Sequence, residues 1–244
     1  MKKYKIGVIG VGMGVNMLPV NKTKLPFEVV AICGTTMSKM EAIQKENPEV
    51  RLITTDYRDI TRDPDIDVVG VFSPDALHFE HCKDALEHGK HIICTKPLVT
   101  SVEDAETLVK LVDEKKVKFL VGQTMRYEPQ FAAVKRMFDD GELAEAHYVH
   151  DMRPLFEVTP WRLNMPQDLM FGGACHPVDV LRWFFGDIES VHCVGSYGDI
   201  YESPEGVHYP LPNNFMMNLR FANGVAARVL GAYGIVEPPM PMMG

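Results

Sequence analysis

KIGVIGVGMG, residues 5–14, is an apolar run that breaks into glycines at Gly10, Gly12 and Gly14. Its first part, 5–9, lacks polar alternation, the pattern of a strand buried on both faces of a parallel sheet. Glycines directly after such a strand serve two ends: the first lets the chain turn tightly, and the second lets the backbone approach a pyrophosphate closely. The spacing is GxGxG, with Val15 at the third-glycine place of GxGxxG. Gly10, Gly12, Met13 and Gly14 are therefore candidate dinucleotide-binding positions. Glycines alone are weak, because many strand–helix turns carry them for steric reasons, so the surrounding chain has to supply the context.

Further apolar runs follow at 28–33 (EVVAIC), 67–72 (DVVGVF), 91–94 (HIIC) and 118–121 (KFLV), with 51–53 a further short candidate. Helical stretches alternate with them at 38–46, 76–88 and 101–115. The last opens on Ser101 with Glu103 and Asp104 in its first turn and lysines at its end, as capping and the helix dipole favour. Strands alternating with helices imply βαβ units, right-handed crossovers and a parallel sheet. The fold class is thus α/β: a Rossmann-type doubly wound domain over 1–122. After about Gln123 the pattern changes to a helix at 129–138, a strand at 146–152, a loop at 154–171 and a helix at 176–185. That helix carries Pro177 in its first turn, and Gly186 stops it. Strands at 191–197, 215–221 and 225–232 follow, the last two flanking Asn223-Gly224, a strong hairpin signal. The expectation for 123–244 is an α+β domain on a mostly antiparallel sheet. The chain ends VEPPMPMMG just after a strand, where an unpaired sheet edge is a liability. The second domain is accordingly expected to be incomplete at its C-terminal end.

The run GKHIICTKPLVT, residues 89–100, ties this fold to chemistry. Lys96 closes a strand later in the same sheet, so its amine is expected to point into the crevice that the glycine turn borders, where a nicotinamide would lie. A solvated lysine at a strand end is the bland alternative. Pro97 argues against it, because the Lys-Pro step restricts the backbone direction there.

The end of the second strand selects between NAD and NADP. An acid there accepts hydrogen bonds from the ribose 2′-hydroxyl. Here the run is CGTTMSK, with no Asp or Glu between Glu28 and Glu41. Gly34, Thr35, Thr36, Ser38 and Lys39 offer space, hydroxyls and one positive charge, which suit a 2′-phosphate. The expected cofactor is NADP, with NAD the alternative; an ordinary solvated loop capped by Ser38 is the competing explanation.

Composition excludes several classes. A net charge of −8 and no basic run with interleaved aromatics argue against nucleic acid. The five cysteines are scattered without a CxxC pair, which reads as reduced thiols in a cytoplasmic protein rather than a disulfide framework or zinc site. No segment has the length and apolarity of a membrane span. The lysine-led start superficially suggests a signal peptide, but its glycines match the strand–turn–helix spacing and no small-residue cleavage site follows.

Taken in order, GVIGVGMG at 7–14, SPDALH at 73–78, ALEHGKHIICTKPL at 85–98, GQTMRYEP at 122–129 and GGACHPVDVLRWFFG at 172–186 resemble the glucose–fructose oxidoreductase / inositol dehydrogenase (Gfo/Idh/MocA) family. The resemblance implies a two-domain NAD(P)-dependent oxidoreductase that acts on a small-molecule sugar, polyol or related carbohydrate. It also implies a homo-oligomer formed through a complete second sheet. Three departures stand out. Thr95 replaces the family's usual glutamate before Lys96-Pro97, GGACH lacks the segment carrying an aspartate shortly before the histidine, and family members are generally longer.

Oxidising a carbohydrate hydroxyl needs a base and a hydride path. His176 is the candidate base, since the matching histidine in the family faces the nicotinamide; without that context a capping or core histidine is the better reading. Asp179, three residues on and on the same helix face, is expected to orient the imidazole or bond the substrate, a surface helix acid being equally open. Lys96 is expected to stabilise the oxygen that gains charge. Ser73 and Pro74 are expected to line the ribose, with His78 beside them unless it is simply the first turn of a helix. His78, Glu80 and His81 supply too few ligands for a metal. Arg126 and Tyr127 are expected to touch the substrate or buttress the domain junction. Trp161 and Arg162 are expected in a substrate loop where an indole can stack on a sugar face, with a core or interface anchor nearly as well supported. Two other functions remain open: a glycosidase that uses bound nicotinamide with no net redox change, and a non-catalytic cofactor-binding protein.

Overall fold

The computed structural model describes residues 3–141, 146–151, 168–196 and 214–232, and the chain divides into two compact units, Met1–Gly122 and Gln123–Gly244. The first unit holds strands β1 (Tyr4–Ile9), β2 (Phe27–Cys33), β3 (Leu52–Thr54), β4 (Val68–Val71), β5 (His91–Cys94) and β6 (Phe119–Val121). They form one parallel sheet in the order β3-β2-β1-β4-β5-β6. Helices α1 (Met37–Glu46), α2 (Arg58–Thr61), α3 (His78–Glu87) and α4 (Val102–Lys115) connect them. Both faces of the sheet are covered, and this is why the strands read as continuous apolar runs. On one side Ile9, Val69, Val71 and Ile92 pack with Leu86 of α3 and Leu108 of α4. On the other, Ile6, Val8 and Ile32 pack with Leu18 and Met40. Each fully buried aliphatic side chain contributes about 1.5–3 kcal/mol. Ser101 caps α4, its side chain accepting a 3.1 Å bond from the Asp104 N–H.

Strand order reverses between β1 and β4. In an open parallel sheet that reversal leaves a crevice outside the carboxyl ends of the strands. Gly10 follows β1, Ser73 follows β4 and Lys96 follows β5, so all three stand at the same edge.

Some local structure departs from expectation. The segment into which the strand–turn–helix spacing leads is a 3-10 helix, Gly14–Lys22, with Pro19 inside it. Proline has no N–H for the i→i−4 bond. Nearby, Asn21 ties the segment to β2, its amide oxygen accepting from the Val29 N–H at 2.7 Å and its NH₂ donating to the Val29 carbonyl at 3.0 Å. The helix expected at 76–88 begins as a 3-10 turn, Asp75–Leu77, before α3. The short helix α2 is an addition to the predicted elements.

The second unit carries β7 (Ala146–Asp151), β8 (Ile188–Ser196), β9 (Asn214–Phe221) and β10 (Ala226–Ala232), with helices α5 (Pro129–Asp139) and α6 (Ala174–Phe185). The sheet order is β7-β10-β9-β8; β10–β9 and β9–β8 are antiparallel, and β7–β10 is parallel. Phe215, Leu219, Phe221, Ala227 and Val229 bury one face against Ala174, Leu181 and Phe185 of α6. The hairpin forms at Asn223-Gly224 as expected, with Gly224 at φ +88°. The unpaired edge expected at the last strand is corrected by the sheet order: β10 is paired on both sides, and β7 and β8 are the edges of the described sheet. A π-helical segment, Asp168–Gly173, precedes α6, so Pro177 lies within a longer helical run rather than in its first turn. Where proline interrupts the bonding ladder, such a wider turn takes up the irregularity.

Candidate active site

The glycine turn answers a question that its letters leave open, namely which glycines the protein needs for its own packing. Gly10 has φ +97°, and a Cβ there would lie 2.4 Å from the Phe72 carbonyl oxygen and 2.7 Å from the Ser73 nitrogen. A Cβ at Gly14 would lie 2.5 Å from Val8 Cγ1. At Gly12 a Cβ would meet nothing within 4 Å. Gly10 and Gly14 are therefore demanded by neighbouring strands, whereas Gly12 leaves open space in front of the turn. That is the arrangement in which backbone N–H groups receive a diphosphate, so the residues present fit a dinucleotide. Met13, next to Gly12, is 63% exposed.

At the tip of β2, Gly34 packs closely, since a Cβ would lie 2.7 Å from Val11 Cγ2. Thr35, Thr36, Ser38 and Lys39 are exposed. The N-cap of α1 is Thr36, without a side-chain cap hydrogen bond, so Ser38 is not the cap. Acids reach this region from β3's far end: burial, then Asp56 and Asp59, push the Cys33 thiol up to about 11. Asp56 bonds the Arg58 guanidinium at 2.9 Å, and Asp59 accepts a 2.5 Å bond from the Thr54 hydroxyl. The tip carries no acid of its own, yet the tertiary fold brings two nearby.

The Ser73–Pro74 turn and the Lys96–Pro97 turn lie on the adjacent strands β4 and β5. Lys96 is half-buried and Pro97 buried, and the peptide between them is cis. The expectation that His78 lines the cofactor site is corrected. Its side chain is fully buried, with Nδ1 2.8 Å from the Pro97 carbonyl oxygen and Nε2 2.8 Å from the Ser73 carbonyl oxygen. It braces the two turns from beneath. Burial opposes its charge and is the largest single influence, but the Cys94 sulfur and the two carbonyls outweigh it and push the imidazole up to about 9. The Ser73 hydroxyl is likewise turned inward, 2.9 Å from His81 Nδ1, so Ser73 presents backbone rather than side chain to the crevice. Pro74 is exposed. His81 and Tyr57, whose rings pack in a tilted contact with centroids 4.4 Å apart, support this turn from below. No local signal in the sequence pointed to either.

In the second unit, His176 stands in the first turn of α6, half-buried, with its Nδ1 enclosed. Asp179, one turn on, holds the Arg126 guanidinium through Nε–Oδ2 at 2.6 Å and Nη2–Oδ1 at 2.7 Å. Arg126 belongs to a 3-10 turn, Thr124–Tyr127, so the pair fastens that turn to α6. Its guanidinium carbon also lies 5.9 Å from the Trp183 ring centroid. The Asp179 bond holds the Arg126 pKa above its ordinary value, against the opposing effect of burial. Gln123 Oε1 is buried with no hydrogen-bond partner among the described residues. Tyr127 is 74% exposed. Trp161 and Arg162 lie outside the described residues. Among the described residues, no group of three His, Cys, Asp or Glu side chains is placed to hold a metal, and no helix is long and apolar enough to cross a membrane.

Residues 4–123 match the model of an oxidoreductase family described by its NAD-binding Rossmann fold, and residues 131–237 match the GFO/IDH/MocA C-terminal domain. The chain is 27% identical over 236 residues to the uncharacterized oxidoreductase YrbE of Bacillus subtilis, covering 93% of this chain and 66% of that protein. It is 28% identical over 143 residues to the scyllo-inositol 2-dehydrogenase (NADP(+)) IolW of the same organism, covering 58% and 39%. It thus spans less than two thirds of the length of either relative. The crystal structure of scyllo-inositol dehydrogenase from Lactobacillus casei, with bound NAD(H) and scyllo-inositol, shares the fold. The TM-score is 0.80 at 20% identity, over 96% of this chain and 71% of that one.

Proposed function

This chain belongs to the Gfo/Idh/MocA oxidoreductase family, and we propose that it moves a hydride between a nicotinamide dinucleotide, NADP(H) ahead of NAD(H), and a hydroxyl or carbonyl carbon of a polyol, sugar or related carbohydrate. The observation that carries this reading is the open space at Gly12, at the strand-order reversal, on the same sheet edge as Lys96.

Gly10, Gly12, Met13 and Gly14 would hold the diphosphate through backbone N–H groups. Gly34, Thr35, Thr36 and Lys39 would meet the adenosine ribose, and the backbone of Ser73 and Pro74 would border the chain of the dinucleotide. When bound, the cofactor supplies the hydride donor or acceptor. Lys96 holds a positive charge at the oxygen that becomes an alkoxide, stabilising it by charge-assisted hydrogen bonding. His176 takes the hydroxyl proton in the oxidative direction and returns it in the reductive one. Asp179, aimed by Arg126, keeps a negative charge one helical turn from that imidazole. Tyr127, Trp161 and Arg162 would contact the carbohydrate. The relative IolW, named for NADP(+) and scyllo-inositol, supports both the cofactor and the substrate class. The reading extends to a cytoplasmic protein, from its free thiols, and to self-association through the second sheet, where Val191 and Val194 are 57% and 52% exposed.

The test is to incubate the purified chain with NADP⁺ or NAD⁺ and a panel of inositols, sugars and polyols, following the absorbance of reduced nicotinamide. Turnover of at least one cyclic polyol or sugar, faster with NADP⁺, is the expected result. Absence of turnover with every substrate, although the dinucleotide binds, would remove the catalytic reading.

A further inference from the structure

We propose that His78 is a positioning residue held as an imidazolium, donating both ring N–H groups so that the turn behind the phosphate-cradling glycines is locked to the turn that carries Lys96. The physical chain is continuous. Gly10 abuts the backbone of Phe72 and Ser73 so closely that no side chain fits between them. The Ser73 carbonyl accepts from His78 Nε2 at 2.8 Å, and the Pro97 carbonyl accepts from Nδ1 at 2.8 Å. Pro97 follows Lys96 directly. A shift of one turn is thereby passed to the other through a single ring.

The protonation state follows from the donor inventory. A carbonyl oxygen only accepts, and a neutral imidazole has a single N–H. Neutral His78 would set a ring lone pair against a carbonyl oxygen at 2.8 Å, in a site fully closed to water. Only the imidazolium satisfies both contacts. The titratable groups that act on it are Cys94 on β5 and His81 on its own helix, with Cys82 behind Cys94. The Cys82 thiol and burial push the Cys94 thiol up against the pull of His78, and burial pushes His81 down. In the liganded protein the bound dinucleotide adds a negative charge that favours the imidazolium further. This rests on the reading above, in which an anionic dinucleotide occupies the glycine turn on the far side of the Gly10–Ser73 contact. Dinucleotide and His78 proton then bind cooperatively: each favours the other, and the coupling is reciprocal.

The experiment uses the full chain labelled with ¹⁵N-histidine, titrated by NMR through the alkaline range with and without NADPH. NADPH affinity is measured in parallel by calorimetry on wild type and on His78→Gln, which retains one donor group. Both ring nitrogens are expected to carry protons at neutral pH, and His78 is expected to lose its proton at higher pH when NADPH is bound. NADPH affinity of the wild type is expected to fall as pH rises past about 9. His78→Gln is expected to bind about tenfold more weakly at neutral pH and to lose that alkaline dependence. A neutral His78 tautomer at neutral pH overturns the proposal, as does a folded His78→Gln that binds like wild type. If the variant does not fold, a wild-type affinity that is flat across the titration of His78 overturns it equally. Wild type that binds no dinucleotide at any pH removes the functional reading instead, while the ring protonation seen by NMR still decides the imidazolium.

Discussion

Arg126 grips Asp179 with two N–H···O bonds, Nε to Oδ2 at 2.6 Å and Nη2 to Oδ1 at 2.7 Å, joining residues 53 positions apart. A two-point contact from a planar guanidinium fixes the carboxylate's direction as well as its place. Arg126→Ala is expected to cost about 1–2 kcal/mol, the partners being only part-buried, which lowers the melting temperature by about 2–4 °C per kcal/mol. Arg126→Lys should recover part of the stability but not the direction, so turnover stays low although the fold returns. Calorimetric melting with steady-state kinetics checks both. Equal recovery of stability and turnover in the lysine variant would remove the aiming role.

Gly10 and Gly12 make opposite predictions. An alanine at Gly10 must adopt φ +97° and drive its Cβ to 2.4 Å from a backbone oxygen, so Gly10→Ala should destabilise the protein by about 2–4 kcal/mol. Gly12→Ala meets nothing within 4 Å and should leave the melting temperature unchanged, while weakening dinucleotide binding about tenfold or more. Thermal melts paired with binding titrations separate these effects. Unweakened binding in a stable Gly12→Ala protein would mean that the open space serves something else.

Lys96→Met removes the charge while keeping the length of the stem. Turnover should fall about 10²–10³-fold, the scale of losing one preorganised donor to a developing oxyanion. Dinucleotide binding measured alongside shows whether the loss is chemical. A variant with wild-type turnover would take Lys96 out of the reaction.

Thr35→Asp places a carboxylate at the exposed tip that follows β2. It should repel a 2′-phosphate and accept from a 2′-hydroxyl, moving the NADP/NAD affinity ratio about ten- to a hundredfold toward NAD. Calorimetry with both dinucleotides on both proteins reads this directly. Wild type that already prefers NAD would show that Asp56 and Asp59 set the local field.

Folding stability should carry His78's signature. Its pKa stands at about 9 in the fold against an ordinary 6.5. A raised pKa means the folded form holds the proton more tightly. The contribution is therefore complete below about 6.5 and is lost as pH rises through about 9. A shift of that size is worth about 3.4 kcal/mol in full, of which about 2–3 kcal/mol is present at neutral pH. Urea unfolding of wild type and His78→Gln should show a stability gap that narrows by about that amount between neutral pH and about pH 10. A gap that stays constant would mean His78 does not change its charge in this range.

Elements of both units were legible where their signals are local. Apolar runs without alternation, Ser101 ahead of two acids and Asn223-Gly224 between two strands each encode a backbone state within a few residues. The glycine turn was legible as a motif, but the letters GxGxG treat alike three positions that the fold treats differently. The 3-10 helix beyond it was not legible, although Pro19 was in view, because a single proline is compatible with either a kinked helix or a tightened one.

Short-range signals, periodicity and glycine placement, were enough to specify the parallel sheet, the two-part organisation of motifs and the lysine at a strand's end. Long-range packing settled that the last described strand, β10, is interior to its sheet, that Asp179 answers Arg126, and that His78 lies beneath the crevice rather than in it. Those outcomes depend on which distant residues the crossovers bring to one place. The Pro97 carbonyl finds His78 from 19 positions away, and no local pattern marks a carbonyl as one that will need a proton donor.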